Sequence, residues 1–407
     1  MADPTATIAA LLALFKRKYV QKDLSNQGLI KSPFARSLSR IDDLYGEGIY
    51  VPYNYGLPPN GSVDYSKAQT NIAASKVARW FLERNPYHAS HTIDSEAIAA
   101  SKGKENAFLQ AKDKEVGEML KSISQQLAIQ AWGDGTGVLA RLTAVDPGTG
   151  NTPTVTLTNP RDVAKFMIGQ FIGACGDATG GTQRTDIYQV TAMNRKTGTL
   201  TLLRTTGSSN DWAASDYIFT DGNYDACANG VQAWIPASDP SDTFLGMARG
   251  DDPIMKAGWR GDDEGSIEES ALALAADMGT YFNQAASGLW LSRYNWYRLE
   301  RELESKNRKV IDSRATEFFG TPALALLTPE GEVPVLSDPF CPSDAGFMLD
   351  HSTWEVHTMG GFPYVAQDDG LMVVRTGDTR PGVKIQFRAY WEMLCFNPYR
   401  NGRFPIS

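Results

Sequence analysis

The sequence changes period at one place, and that break limits the folds open to it. Leu109, Val116, Leu120, Ile123 and Leu127 recur at spacings of 7, 4, 3 and 4, one apolar stripe of a helix over roughly 105–131. Such a helix is about 40 Å long. WGDGTG at 132–137 stops it, because glycine best takes the left-handed position that ends a helix. From 136 to 235 the sequence becomes rich in Thr, Gly and β-branched residues, and the helical stripe ends. VLARLTAV, TVTLT, DIYQVTAM, GTLTLLRTT and SDYIF are five strand candidates divided by turns such as DPGTG and NRKTG. One short helix interrupts them, with Asn159 as N-cap and Pro160 as its first residue. Five or six short strands in about a hundred residues make a compact barrel or sandwich. With helices on either side, an inserted β domain in an α+β chain is the simplest arrangement.

A second feature lies upstream. Residues 46–66 read GEGIYVPYNYGLPPNGSVDYS, two extended runs, IYVPYNY and VDYS, around a LPPNG turn. Pro52 cannot donate to a ladder, which confines its strand to an edge or a free-standing ribbon. A lone two-stranded ribbon is marginal in water, so Tyr50, Tyr53, Tyr55 and Tyr65 need cover from outside it.

Downstream, WIPASDPSDTFLGMARGDDP at 234–253 is a loop of strong turn chemistry. Ser266 and Glu269 form a capping box that opens a helix over IEESALALAADMGTYFNQAA, and LWLSRYNWYRLERELESK reads as a second helix over roughly 288–306. PALALLTPEGEVPVL is a hairpin, and STWEVHTM, GLMVVRTG and VKIQFRAYWEMLCF are strand runs.

With 407 residues and 42% hydrophobic content the chain can bury a full core. A formal charge of −8 argues against a protein whose main task is gripping nucleic acid. The charge is uneven: Lys16, Arg17, Lys18, Lys22, Lys31, Arg36 and Arg40 stand against Asp3 and Asp23, whereas GDDEGSIEE at 261–269 is purely acidic. Contacts between copies or with an acidic partner suit this asymmetry, and so does a solvated face. Cys175, Cys227, Cys341 and Cys395 are far apart, which implies a reducing compartment. IAALLALF at 8–15 is too short for a membrane span and reads as an amphipathic helix. Synthesis and folding in a cytoplasm are expected.

Few residues suggest chemistry. His88 and His91, with Asp94 near, space two imidazoles for a metal, but nothing else completes a site and the stretch reads as a polar loop. GDGTG lacks the Lys-Ser/Thr of a phosphate loop and the carboxylates of a calcium loop. Asp239, Asp242, Asp251 and Asp252 sit among Pro, Ser and Gly, where turn formation explains them better than paired acid and base work. WLSRYNWY and AYWEMLCF have the periodicity of core or interface before that of a sugar- or base-stacking platform. No catalytic residue, metal ligand or cofactor site is assigned.

The order of parts, with GEGIYVPYNYG, IDSEAIAAS, LAIQAWGDGTG, GEVPVLSDPFCPSDAGFMLDHSTWEVH and FRAYWEMLCFNPYRNGR, resembles the tailed-bacteriophage major capsid proteins of the Hong Kong 97-like fold. The resemblance implies an N-terminal arm at 1–45, an extended E-loop and return at 46–92, and a spine helix and peripheral domain at 93–135. It further implies an axial domain at 236–370 and peripheral return strands at 371–407, with 136–235 a departure from the minimal fold as an inserted β-barrel-like domain. In that family the E-loop reaches across a neighbour, so Tyr50, Tyr53, Tyr55 and Tyr65 would be inter-subunit contacts. Lys16, Arg17 and Lys18 would be basic contacts of the arm.

The implied function is structural: pentamers and hexamers of the chain forming an icosahedral shell around double-stranded DNA held without sequence specificity. Only about 45 residues precede the hairpin, so the resemblance implies a separate scaffolding protein, with a portal and a possible decoration protein as further partners and no membrane. The expected location is the virion capsid, assembled in the bacterial host cytoplasm. Some members cross-link through a Lys and an Asn; Lys67 is suitably placed, without a matched partner. The rival readings are a phage decoration or host-glycan-binding protein, and a metal- or carboxylate-dependent hydrolase with a β accessory domain.

Overall fold

The computed structural model describes residues 32–58, 60–94, 105–146, 151–207, 211–282, 286–306, 310–312, 323–365, 374–375 and 382–407. The arm residues Lys16, Arg17 and Lys18, and the helix expected at 8–15, lie outside them. Three helices are long: α1 (Glu105–Trp132), α2 (Ile267–Phe282) and α3 (Arg293–Ser305). The first matches the helical stripe of the sequence, and Leu120, Ile123 and Leu127 of that stripe are buried.

Two sheets flank the end of α1. In one, the fourteen-residue strand Gly382–Cys395 pairs antiparallel with Asn85–Asp94 and with Trp354–Thr358, which pairs parallel with Ser39–Asp42. The other has seven strands, in the order Trp259–Arg260, Gly402–Pro405, Ala345–Leu349, Gly288–Ser292, Gly331–Asp338, Ala323–Thr328 and Val310–Asp312. Ile267, Ala271, Leu274 and Met278 of α2, spaced 4, 3 and 4, lie in one buried cluster with Leu299 and Leu303 of α3 and with Leu289, Val335, Met348 and Phe404 of that sheet.

Phe34 joins these parts. Its ring lies 4.4 Å from Trp132 at the end of α1, 5.4 Å from Trp290 and 6.3 Å from Trp354, one aromatic residue from each sheet. Ser32 caps the short helix Pro33–Ser37 and donates to the Asp338 carboxylate, which also accepts the Phe34 and Phe340 amides at 3.3 and 2.9 Å. Burial pushes the Asp338 pKa up against those donors.

Six strands close into a barrel, in the order Tyr217–Thr220, Val138–Asp146, Thr154–Leu157, Thr199–Thr206, Ile187–Asn194 and Phe171–Cys175. Alternate residues fill it, among them Leu142, Val155, Ile172, Tyr188, Val190, Leu200, Leu202 and Ile218. Pro160–Lys165 is the expected short helix, of the tighter 3₁₀ kind, with the Asn159 side chain accepting the Arg161 amide at 3.1 Å.

Four expectations need correction. GLWLS at 288–292 is a strand, not the start of a helix, because every residue in it is buried and the run sits inside the seven-stranded sheet. The first run of the ribbon, Gly48–Gly56, pairs with Lys76–Glu83 and not with VDYS, since Asp64 accepts the Ser66 amide and caps a helix at Tyr65–Thr70. Trp354–Thr358, grouped with 236–370, pairs instead with Gly382–Cys395. Gly402–Pro405, grouped with the return strands, lies in the seven-stranded sheet.

Candidate assembly surfaces

The ribbon has a root and a tip with opposite surroundings. At the root, alternate residues of Gly48–Gly56 and Lys76–Glu83 turn inward. Tyr53, Trp80 and Leu82 are buried, with Trp80 4.4 Å from Tyr53 and 5.3 Å from Trp234, ring to ring. The Tyr53 hydroxyl donates to the Met255 carbonyl at 2.6 Å and the Phe81 amide to the Leu245 carbonyl at 2.8 Å. Burial pushes the Tyr53 phenol well above its ordinary range. Tyr55 donates to Asp251 at 3.2 Å, and the Lys256 ammonium stands 3.9 Å from the centre of its ring.

These contacts correct the expectation that a neighbour covers all four tyrosines. Tyr53 is covered, and Tyr55 half covered, by the loop 242–257 of their own chain, because the inward face of the ribbon packs on Trp234. Tyr50 and Tyr65 are exposed. Tyr50 stacks on Phe81 at 4.7 Å and carries Arg79 4.4 Å above its ring.

The described residues of the tip, 57–58 and 60–75, are exposed nearly throughout, and its helix buries no residue. Ile72 is 73% exposed, and Leu57, Val63 and Tyr65 more so. Asn60 accepts the Ala73 amide at 2.9 Å and braces the tip across its base. Lys67 is exposed on the tip helix.

The aspartates of the neighbouring loop are held by cations and a helix end. Asp239 pairs with Arg260, Asp242 with Arg249, Asp251 with Lys256, and Asp252 accepts the Met255 amide as the cap of Pro253–Ala257. Hydrogen bonds from Arg249 and Lys256 hold Asp242 and Asp251 below the usual carboxylate range, opposite to what a general acid needs. His88 and His91 lie on strand Asn85–Asp94, opposite Arg388 and Ile385 of Gly382–Cys395. His351 is elsewhere, accepting from Trp290 Nε1 at 2.8 Å, and burial lowers its pKa to about 4. Among the described residues no three His, Cys, Asp or Glu converge as a metal site. In GDGTG, Asp134 accepts the Thr136 amide and hydroxyl at 3.1 and 2.6 Å, an Asx turn. Of the aromatic runs, Trp290, Trp391 and Leu394 are core, while Tyr294 and Tyr297 are exposed on α3.

The sequence reading passed over the second strand of the ribbon. The signal was the alternation of KVARWFLE, where Trp80 and Leu82 share a face, hidden because the turn residues LPPNG suggested a tight hairpin.

No protein-family model matches the chain, and no curated protein matches it. Among solved structures it is similar to the capsid asymmetric unit of cyanophage A-1(L), at 11% identity and TM-score 0.51, over 91% of this chain and 91% of that one. Gordonia phage Cozz aligns at 10% identity and TM-score 0.44, over 93% of this chain and 87% of that one. Mycobacterium phage Adephagia aligns at 11% and 0.43, over 92% and 91%. The likeness to the cyanophage capsid shows the fold: the chain has the α+β, Hong Kong 97-like capsid architecture.

Proposed function

We propose that the chain is the structural subunit of an icosahedral phage capsid, associating with copies of itself as pentamers and hexamers. The carrying observation is the ribbon, whose root is locked into its own subunit by Tyr53, Trp80 and Leu82 while Leu57, Val63, Tyr65 and Ile72 of its tip are exposed, with no cover among the described residues. A ribbon so anchored needs no stability of its own beyond the root, and a neighbour would bury its tip. In this reading the β barrel is an insertion into the minimal fold, and Lys16, Arg17 and Lys18 contact other copies or the packaged double-stranded DNA.

The charge of −8 suits a container that must enclose DNA without adhering to it. A scaffolding protein, a portal and a decoration protein are the further partners of this reading, the virion its location and the host cytoplasm its site of assembly. The role is structural and asks for no catalytic residue. The cation-held aspartates give the hydrolase alternative no supporting observation. Electron microscopy of the expressed chain, alone and with a scaffolding protein, tests the proposal. Closed particles are expected; monomers at every concentration would reject it.

A further inference from the structure

Between the barrel and the start of α3 runs a cleft whose two halves, about 360 and 540 Å³, share Ala164, Arg195, Arg293 and Pro339. Its lining holds four cations, Arg161, Lys165, Arg195 and Arg293, against one carboxylate, Asp162, an excess of three positive charges. Lys165 is engaged, pairing with Asp162 at 3.0 Å and donating to the Leu139 carbonyl at 2.9 Å. Arg161 lies 3.5 Å over the Tyr294 ring. Arg195 and Arg293 are exposed and have no ion pair among the described residues.

The opposite charge sits at the other end of α3. Lys306, just past that helix, pairs with Glu268 at 2.8 Å and Glu269 at 3.1 Å, which pins the start of α2 to the end of α3. The loop before α2 carries Asp262, Asp263 and Glu264, all exposed and without an ion pair among the described residues. The thirteen residues of α3 hold the two patches about 20 Å apart, so they cannot meet within one copy.

We propose that the cleft receives the acidic loop 262–264 of a second copy. Two different patches at opposite ends of a rigid helix make a heterologous contact, the kind that runs head to tail and closes rings. Complementary charge fixes its register and speeds encounter. Nucleic-acid phosphate is the other anion a basic cleft can take. The acidic chain and the unmatched acidic loop favour the second copy. The ring depends on the capsid reading, whereas the charge pairing can be tested apart from it.

The test is sedimentation velocity on the full chain, on Arg195→Glu with Arg293→Glu, on Asp262→Arg with Asp263→Arg, and on all four changes together. Each reversed pair should weaken association by roughly tenfold or more, the fourfold variant should recover it, and added salt should weaken the intact chain. Reversed pairs that associate like the intact chain overturn the proposal, as does a fourfold variant that stays apart with unchanged circular dichroism. Binding of a short DNA duplex that is lost in Arg195→Glu with Arg293→Glu, while association persists, makes nucleic acid the occupant and overturns it too. Small rings that obey the charge swap without closing into particles reject the capsid reading and support the contact. Particles that form equally from all four proteins do the reverse, and an intact chain that is always monomeric rejects both.

Discussion

The hydroxyl of Tyr53 donates to the carbonyl oxygen of Met255 at 2.6 Å across 202 residues of sequence. With Trp80 packed between Tyr53 and Trp234, the root of the ribbon is part of the chain's own core. Trp80→Ala should cost about 3–5 kcal/mol, and Tyr53→Phe about 1 kcal/mol for the lost hydrogen bond. Denaturant unfolding of the unassembled subunit measures both. A Trp80→Ala subunit as stable as the intact one would mean that the ribbon is only loosely docked.

The tip should behave in the opposite way. Val63→Ser with Ile72→Ser, or replacement of 57–75 by a short Gly-Ser turn, should shift subunit stability by no more than about 0.5 kcal/mol, because exposed side chains add little to a core. Assembly should fail, because the few side chains that anchor an interface each carry on the order of 2 kcal/mol. Circular dichroism and electron microscopy read the two effects separately. A tip variant that unfolds at modest temperature would place the tip in the intramolecular core.

Much of the architecture was legible in local pattern. The stripe Leu120, Ile123, Leu127 exposed α1, the Ser266 capping box opened α2, and five of the six barrel strands announced themselves by alternation between turns. GLWLS was misread because a short run buried on both faces carries no period. Pairings between distant segments were beyond reach. Nothing near Tyr53 in sequence hints at Met255, and nothing near Asp338 hints at Ser32.

Glu392 should make stability fall as pH rises. It is buried, accepting the Asn229 and Met393 amides at 3.0 and 3.1 Å with the Asn85 side chain on its other oxygen. Burial outweighs those donors and pushes its pKa up to about 8 from an ordinary 4.5. Between those values the folded chain binds a proton that the unfolded chain has released, so this part of the stability is complete below the lower value and lost as pH climbs through the upper one. The effect is on the order of a few kcal/mol at most. Glu392→Gln, with Asn85 turning its amide to accept, should flatten denaturation midpoints between about pH 5 and about pH 8. An unchanged slope would show that Glu392 is ionised throughout.

Arg249 should not be replaceable by lysine. Its buried guanidinium grips both oxygens of Asp242, at 2.9 and 2.6 Å, donates to the Ala233 carbonyl at 2.9 Å and lies 4.4 Å from the centre of the Phe244 ring. A lysine offers no planar fork, so Arg249→Lys should cost about 1–3 kcal/mol. Asp242→Asn should cost less than about 1 kcal/mol, its carboxylate being half exposed and screened. Thermal unfolding compares the two. Equal losses would show that the ion pair, and not the buried guanidinium, holds the loop.

The segment 136–235 should fold alone. Its barrel is closed by hydrogen bonds between its first and last strands and is filled by its own Leu142, Val155, Tyr188, Leu200 and Ile218. The isolated fragment should show a cooperative thermal transition and dispersed amide resonances. A fragment without either would mean that the barrel leans on α1 for its structure.

That closure also fixes how the barrel hangs from the rest. The chain enters at Val138 and leaves at Thr220, on strands that lie side by side with Ala140 opposite Ile218. An element whose two ends are neighbours can lengthen, shrink or be exchanged without forcing Trp132 and Val231 apart. Changes in the barrel's loops are therefore decoupled from the geometry of the scaffold that carries it.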